Sequence, residues 1–307
     1  MDWLGSWIDG AAKQEILSFV AASSDPDSGA FIPEPDRVAT FDNDGTLWVE
    51  KPVPVMAPFL VEKLVELVKA DPSLASRQPY AAIINQDPEF FEGIARQVPG
   101  VVMEFVRGIG DAWEGASPES YADEVTAYLA ASRNERFGRP HTDLVYRPMM
   151  ELLDLLRGHD WRVFICSGGG RDFMHVFCEE TWGISRENII GSAADWTYEH
   201  GRLRRANAMR GRLALGAGKP EAIFARTGRL PRFAAGNGDV DIEMLEVADF
   251  GLVVVHDDPV REHSYTDGAE RLMTASESAG WTHASIANDW NTVFDWESSE
   301  RSQERPT

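Results

Sequence analysis

Val38-Ala39-Thr40-Phe41, running directly into Asp42-Asn43-Asp44-Gly45-Thr46, is a four-residue apolar run that stops at a cluster of acidic and turn-forming residues. The turn-rich stretch Ser23 to Arg37 precedes it, so its length and flanks predict a strand buried on both faces. A second such run, Arg162-Val163-Phe164-Ile165-Cys166, follows the helical pattern Met149, Met150, Leu152, Leu153, Leu155, Leu156 and stops at Ser167-Gly168-Gly169-Gly170. Helix followed by buried strand is the order expected of a parallel sheet. Asn188 to Gly191, Arg232 to Ala235 and Phe250 to Val255 read as further strands, which predicts an α/β fold with a doubly wound, Rossmann-like core of five strands.

Roughly a hundred residues separate the first two strands, and their apolar positions, such as Leu60, Val61, Leu64, Val65 and Val68, recur at helical spacing. A single crossover helix needs far fewer residues. The expected organisation is therefore a discontinuous core, residues 1–50 and 148–297, with a helical cap inserted at 51–147 and a polar, frayed tail at 298–307. Pro52 to Pro54 and Gly138-Arg139-Pro140 are the natural hinges.

Composition narrows the function. With 307 residues, 43% of them hydrophobic, the chain can build a sizeable core, and its net charge of −21 repels phosphate backbones and anionic lipid. Nucleic acid is excluded as a partner on that ground. No apolar run approaches a membrane span, and Met1-Asp2-Trp3 opens without a basic leader, so a cytoplasmic protein is expected, the alternative being the mature form of a secreted protein whose leader was removed. The two cysteines, Cys166 and Cys178, form neither a disulfide framework nor a zinc pattern. Nothing in the sequence specifies an oligomeric state.

In an open parallel sheet, ligands bind beyond the carboxyl ends of the strands. The residues there are Asp42 and Asp44, Ser167, and Asn237, Asp239 and Asp241. Carboxylates converging on one edge repel one another unless a cation sits among them, and hard oxygen donors favour Mg²⁺. Lys219, at the start of a helical pattern before the fourth strand, is placed to neutralise the same group.

Taken in order, these residues resemble the haloacid dehalogenase superfamily, in particular its phosphatase branch and the phosphoserine-phosphatase-like group. The segments that carry the resemblance are Asp42-Asn43-Asp44-Gly45-Thr46, the strand ending in Ser167, Lys219, and Gly236-Asn237-Gly238-Asp239-Val240-Asp241 followed by Met244-Leu245. It spans roughly Arg37 to Val255. It implies a Mg²⁺-dependent phosphomonoester hydrolase acting on a small phosphorylated substrate through an aspartyl-phosphate. Asp42 is then the nucleophile, Asp44 the general acid and base, and Ser167, the Gly168 amide and Lys219 hold the phosphoryl group. Asp42, Asp44, Asn237 and Asp241 are the implied metal set. Asn237 departs from the Asp usual at its position.

Simpler roles stand beside these. Ser167 also suits a helix N-cap, Thr46 a packing role, Asp239 a solvated loop, and Arg171 an exposed helix position. The histidines, including His175, His256 and His263, are read as packing or surface residues. Trp48, Phe59, Phe90, Phe91 and Trp113 read as core or as an apolar pocket. Where phosphoserine phosphatases carry a Glu for the substrate amine, Glu50 is followed by Lys51, and a lysine there repels an ammonium. Two other functions fit the same residues: a phosphomutase or phosphotransferase, and a binding or regulatory protein without turnover.

Overall fold

The computed structural model describes residues 3–95 and 98–297, so the expected tail at 298–307 lies outside the described residues. Eight strands are described: β1 Val38–Phe41, β2 Arg162–Gly170, β3 Ile189–Ser192, β4 Ala194–Glu199, β5 Arg202–Met209, β6 Phe233–Gly236, β7 Phe250–Val255 and β8 Thr282–Ser285. Six of them form one sheet in the order β3-β2-β1-β6-β7-β8. The pairs β1·β2, β1·β6, β6·β7 and β7·β8 are all parallel.

Helices cover both faces, and the two-residue alternation of β1 shows how. Val38 packs with Phe164, Ile190, Ala234 and Val253 against Ile223, Leu245 and Leu272, which lie on helices Gly218–Thr227, Ile242–Glu246 and Glu270–Ala279. Phe41 points the other way and stacks on Phe233 at 5.6 Å; Phe233 stacks on Phe250, which meets Phe19 of helix Ala11–Ser24 at 4.9 Å. This is the doubly wound α/β arrangement expected. β8 adds a sixth strand at the edge. Thr282-His283-Ala284-Ser285 has no apolar run to announce it, and its strand form comes from pairing with β7.

The chain divides into two compact units, the first made of Ser132–Gly191 with the pieces up to Pro52 and from Leu213 onward, the second of Val53–Ala131 with Ser192–Arg212. Both ends of the expected 51–147 insertion thus differ, and Ser192–Arg212, expected in the core, falls in the second unit. Residues 132–146 belong with the sheet because their backbone pairs with the loop after β1: Tyr146 N–H donates to Leu47 O at 2.9 Å, Val49 N–H to Leu144 O at 3.1 Å, and Asn134 Nδ2 to Lys51 O at 3.0 Å. Leu144 and Tyr146 are accordingly buried.

The second unit is not wholly helical. Besides helices such as Met56–Ala70, Pro99–Ala112 and Pro118–Ala131, it contains the antiparallel hairpin β4-β5. Its turn is His200-Gly201, with φ of 46° and 85°, the two positive values a tight primed turn requires. Arg205 joins the hairpin to the helices: its N–H and C=O pair with Ala116 O and Gly115 N, and its guanidinium lies 4.6 Å above the Tyr121 ring. Asn207 Nδ2 donates to Asp111 at 2.6 Å.

Candidate active site

β1 sits where the strand order reverses, between β2 on one side and β6 on the other, and such a switch point opens a crevice at the carboxyl ends of the strands. Asp42 directly follows β1 there; its N–H donates to Ala235 O at 2.9 Å, and its side chain is 10% exposed. Lys219, fully buried on the first turn of its helix, reaches across to bond Asp42 Oδ1 at 2.7 Å, Asp241 Oδ1 at 2.5 Å and the Cys166 carbonyl at 2.8 Å. All three ammonium donors are used. The other Asp241 oxygen accepts from the N–H groups of Asn237, 3.0 Å, and Gly238, 2.9 Å.

Burial pushes the Asp42 carboxyl up to about 7, and the Asp241 charge adds to the rise while Lys219 opposes it. Burial alone would lower the Lys219 ammonium, yet the Asp241 and Asp42 carboxylates hold it above its ordinary value. Asp44 is pushed up to about 6, again chiefly by burial, against the hydrogen bond that Trp48 Nε1 donates to it at 2.8 Å. The Cys166 thiol, pushed up to about 12 by burial, stays protonated and packs as a small apolar group.

Gly45 takes φ of 77°, in the left-handed region, and a side chain there would overlap the Asn237 amide. The loops after β1 and β6 are therefore in direct contact, and Thr46 Oγ joins them by donating to Asn237 Oδ1 at 2.8 Å. Ser167 is 2% exposed, and its hydroxyl accepts from the Gly169 N–H at 3.1 Å; Gly168 approaches Leu215 so closely that a methyl group would overlap it. Asp239 is turned elsewhere: its carboxylate accepts from the Leu272 N–H at 2.8 Å, on helix Glu270–Ala279. Arg171 pairs with Asp172 at 2.9 Å.

The aromatic candidates are largely packed. Trp48 stacks on Phe177 at 5.1 Å, and Phe59 stacks on Trp113 at 5.1 Å; Phe90 is buried, and Phe91 is exposed. Glu50 accepts from the Tyr265 hydroxyl at 2.8 Å, while Lys51 Nζ lies 4.2 Å above the Tyr265 ring.

A family model for haloacid dehalogenase-like hydrolases matches residues 39–246, more than half of the chain and including Asp42, Asp44, Ser167, Lys219, Asn237 and Asp241. The chain belongs to the haloacid dehalogenase-like hydrolase family. Among solved structures of this fold, a conserved protein of unknown function from Anaerococcus prevotii is 14% identical, with 95% of this chain and 98% of that chain covered and a TM-score of 0.61. A protein of unknown function from Bordetella pertussis is 16% identical, over 81% and 97%, with a TM-score of 0.51. A phosphoserine phosphatase from T. onnurineus is 18% identical over 80% and 98%, with a TM-score of 0.39. No curated protein matches.

In this haloacid dehalogenase-like hydrolase, His256, which the sequence placed at a strand end near the site edge and read as a structural residue, is a buried neighbour of the site. It follows β7, and its Nε2 lies 2.7 Å from Gly45 O. The position was visible, since strand ends were the places to search, but a contact with Gly45 from 211 residues away was not. Among the described residues, no group of three or more His, Cys, Asp or Glu side chains is arranged to hold a metal ion, and no helix is long and apolar enough to cross a membrane.

Proposed function

We propose that this chain hydrolyses phosphomonoesters of small metabolites, with Asp42 as nucleophile and Asp44 as general acid and base. The observation that carries the proposal is the second carboxyl, Asp44, half-buried two residues from Asp42 and pushed up to about 6. At that value a useful fraction is protonated near neutrality, which a leaving-group acid requires.

In the first step an Asp42 carboxylate oxygen bonds to phosphorus, the bond to the leaving oxygen breaks, and Asp44 gives that oxygen its proton. In the second, Asp44 takes a proton from water as the water oxygen attacks phosphorus; inorganic phosphate leaves and Asp42 is restored. Ser167 and the Gly168 amide orient the phosphoryl oxygens, and Lys219 offsets the charge gathered at Asp42. Asp241 acts through Lys219, because its oxygens are occupied by that ammonium and two backbone N–H groups.

The donor set suits Mg²⁺, which takes one or two carboxylates and completes its shell with water and phosphate oxygens. Asp42 would supply a carboxylate oxygen, Asp44 its backbone carbonyl oxygen, which leaves its carboxyl free to carry the proton, and Asn237 an amide oxygen. When bound, Mg²⁺ supplies positive charge that favours ionised Asp42 and an incoming phosphate. Release of inorganic phosphate in plain buffer separates hydrolysis from transfer between substrate positions, and a screen of phosphorylated metabolites and an aryl phosphate with no release from any would overturn the proposal.

Two variants test the roles. Replacing Asp44 by Asn removes the proton donor but keeps the shape, so turnover of alkyl phosphates falls roughly 10²- to 10⁴-fold and that of an aryl phosphate much less. Equal losses on both substrates would make Asp44 a structural residue. Asn237→Asp adds a formal charge to the ligand set and lowers the Mg²⁺ concentration for half-maximal rate, whereas Asp239→Asn, whose carboxylate serves Leu272, leaves it unchanged. A titration that moves only with Asp239 would assign the ligand two residues further on.

A further inference from the structure

His256 and Glu262 are both buried, at 5% and 0% exposure, and neither belongs to the motifs that define the site. His256 Nδ1 stands 3.0 Å from Glu262 Oε2 and Nε2 stands 2.7 Å from Gly45 O. A carbonyl oxygen only accepts, so the proton at Nε2 is obligatory. At Nδ1 the partner is a carboxyl group, and either the ring donates to the carboxylate or a protonated Glu262 donates to the ring. In both arrangements the pair is neutral overall and Nε2 is a donor. Glu262 thus fixes which nitrogen faces Gly45, the part a carboxylate plays behind an oriented histidine.

The loop that carries the pair is itself tied down. Asp258 accepts from the N–H groups of Val260 and Arg261, each at 3.0 Å, while Arg261 donates to Trp290 O at 2.8 Å and Ile286 O at 2.6 Å. Tyr265 N–H closes the loop onto His256 O at 3.1 Å, and the Tyr265 ring stacks on the imidazole at 4.3 Å. A stiff loop thereby grips one carbonyl of the turn that holds Asp44.

We propose that His256 is a positioning residue: oriented by Glu262, it anchors the Gly45 peptide and so aims the Asp44 carboxyl at the leaving oxygen. The catalytic half of this proposal rests on the phosphatase assignment, whereas the anchoring half does not.

Backbone hydrogen exchange tests the anchor, at the amides of Gly45, Thr46 and Leu47, which bond Trp48 O and Asn43 O within the turn. His256→Phe keeps a ring against Tyr265 but removes the donor, and exchange at these amides rises about ten-fold while β7 is unchanged. His256→Gln puts an amide N–H near the place of Nε2, and Glu262→Gln can donate to Nδ1; both keep exchange near the parent rate. Turnover tests the aim: His256→Phe lowers kcat for alkyl phosphates about 10- to 100-fold, with a smaller loss for an aryl phosphate and little change in KM, and His256→Gln recovers most of it. Parent-like exchange in His256→Phe overturns the anchor, as does equal damage by Phe and Gln; equal kcat losses on alkyl and aryl substrates overturn the aim. A parent protein that releases no phosphate removes the phosphatase assignment, and the exchange data then decide the anchor alone.

Discussion

Asp42→Asn lowers phosphate release by at least about 10⁴-fold, the scale of loss that follows removal of a covalent nucleophile, and the protein still folds. The amide has nearly the shape of the carboxyl but cannot form the acyl phosphate. Stability moves in the opposite direction. Because the folded carboxyl is raised to about 7 from an ordinary 3.8, the native state holds its proton more tightly than the unfolded chain. The corresponding stabilisation is complete below about pH 4 and is lost as pH rises through 7. At pH 8 the parent carries a buried ionised group that the variant lacks, so without added metal the variant melts higher by about 2–5 °C, and the difference shrinks toward pH 5. Calorimetry at both pH values checks the sign; more than about 1% residual turnover, with deamidation excluded, would assign the nucleophile elsewhere.

Lys219→Met carries the largest expected loss of stability. The ammonium is fully buried and bonds Asp42, Asp241 and the Cys166 carbonyl at once. Methionine fills similar space yet leaves two carboxylates facing each other with no cation between them. Breaking a buried pair from one side costs about 3–5 kcal/mol, and that is the expected drop in unfolding free energy at pH 8. Toward pH 5 Asp42 takes up a proton and part of the loss is recovered. Urea unfolding at the two pH values measures both quantities, and a loss below about 1 kcal/mol at pH 8 would mean that the charges are screened by water rather than by the lysine.

Much of this arrangement could be read from the chain because it depends on short, local signals. β1, β2 and β7 are apolar runs of strand length between turn residues, and Asp42 and Asn237 lie just beyond strand ends as expected, whereas Ser167, expected just after β2, lies within it because that strand runs on to Gly170. Lys219 was readable through order alone, and its three bonds needed the tertiary structure. β8 and the β4-β5 hairpin were not legible. β8 is strand because β7 lies beside it, and the hairpin turns at His200-Gly201 rather than at a stronger Asn-Gly signal. The end of the insertion was misplaced for a related reason: residues 132–146 have no periodic signature, and their membership follows from backbone bonds to Leu47, Val49 and Lys51. His256 is the extreme case, since its partner Gly45 is distant in sequence and the bond is to a carbonyl every residue possesses.

The second unit is assembled from two separate stretches of chain, Val53–Ala131 and Ser192–Arg212, and this constrains anyone who would graft or transplant it. Excising the longer stretch alone would strip Arg205 of the Tyr121 ring and Asn207 of Asp111, leaving a hairpin with its helical partners gone. A chimera that exchanges this module with a relative must therefore splice at four junctions and take both inserts from the same parent.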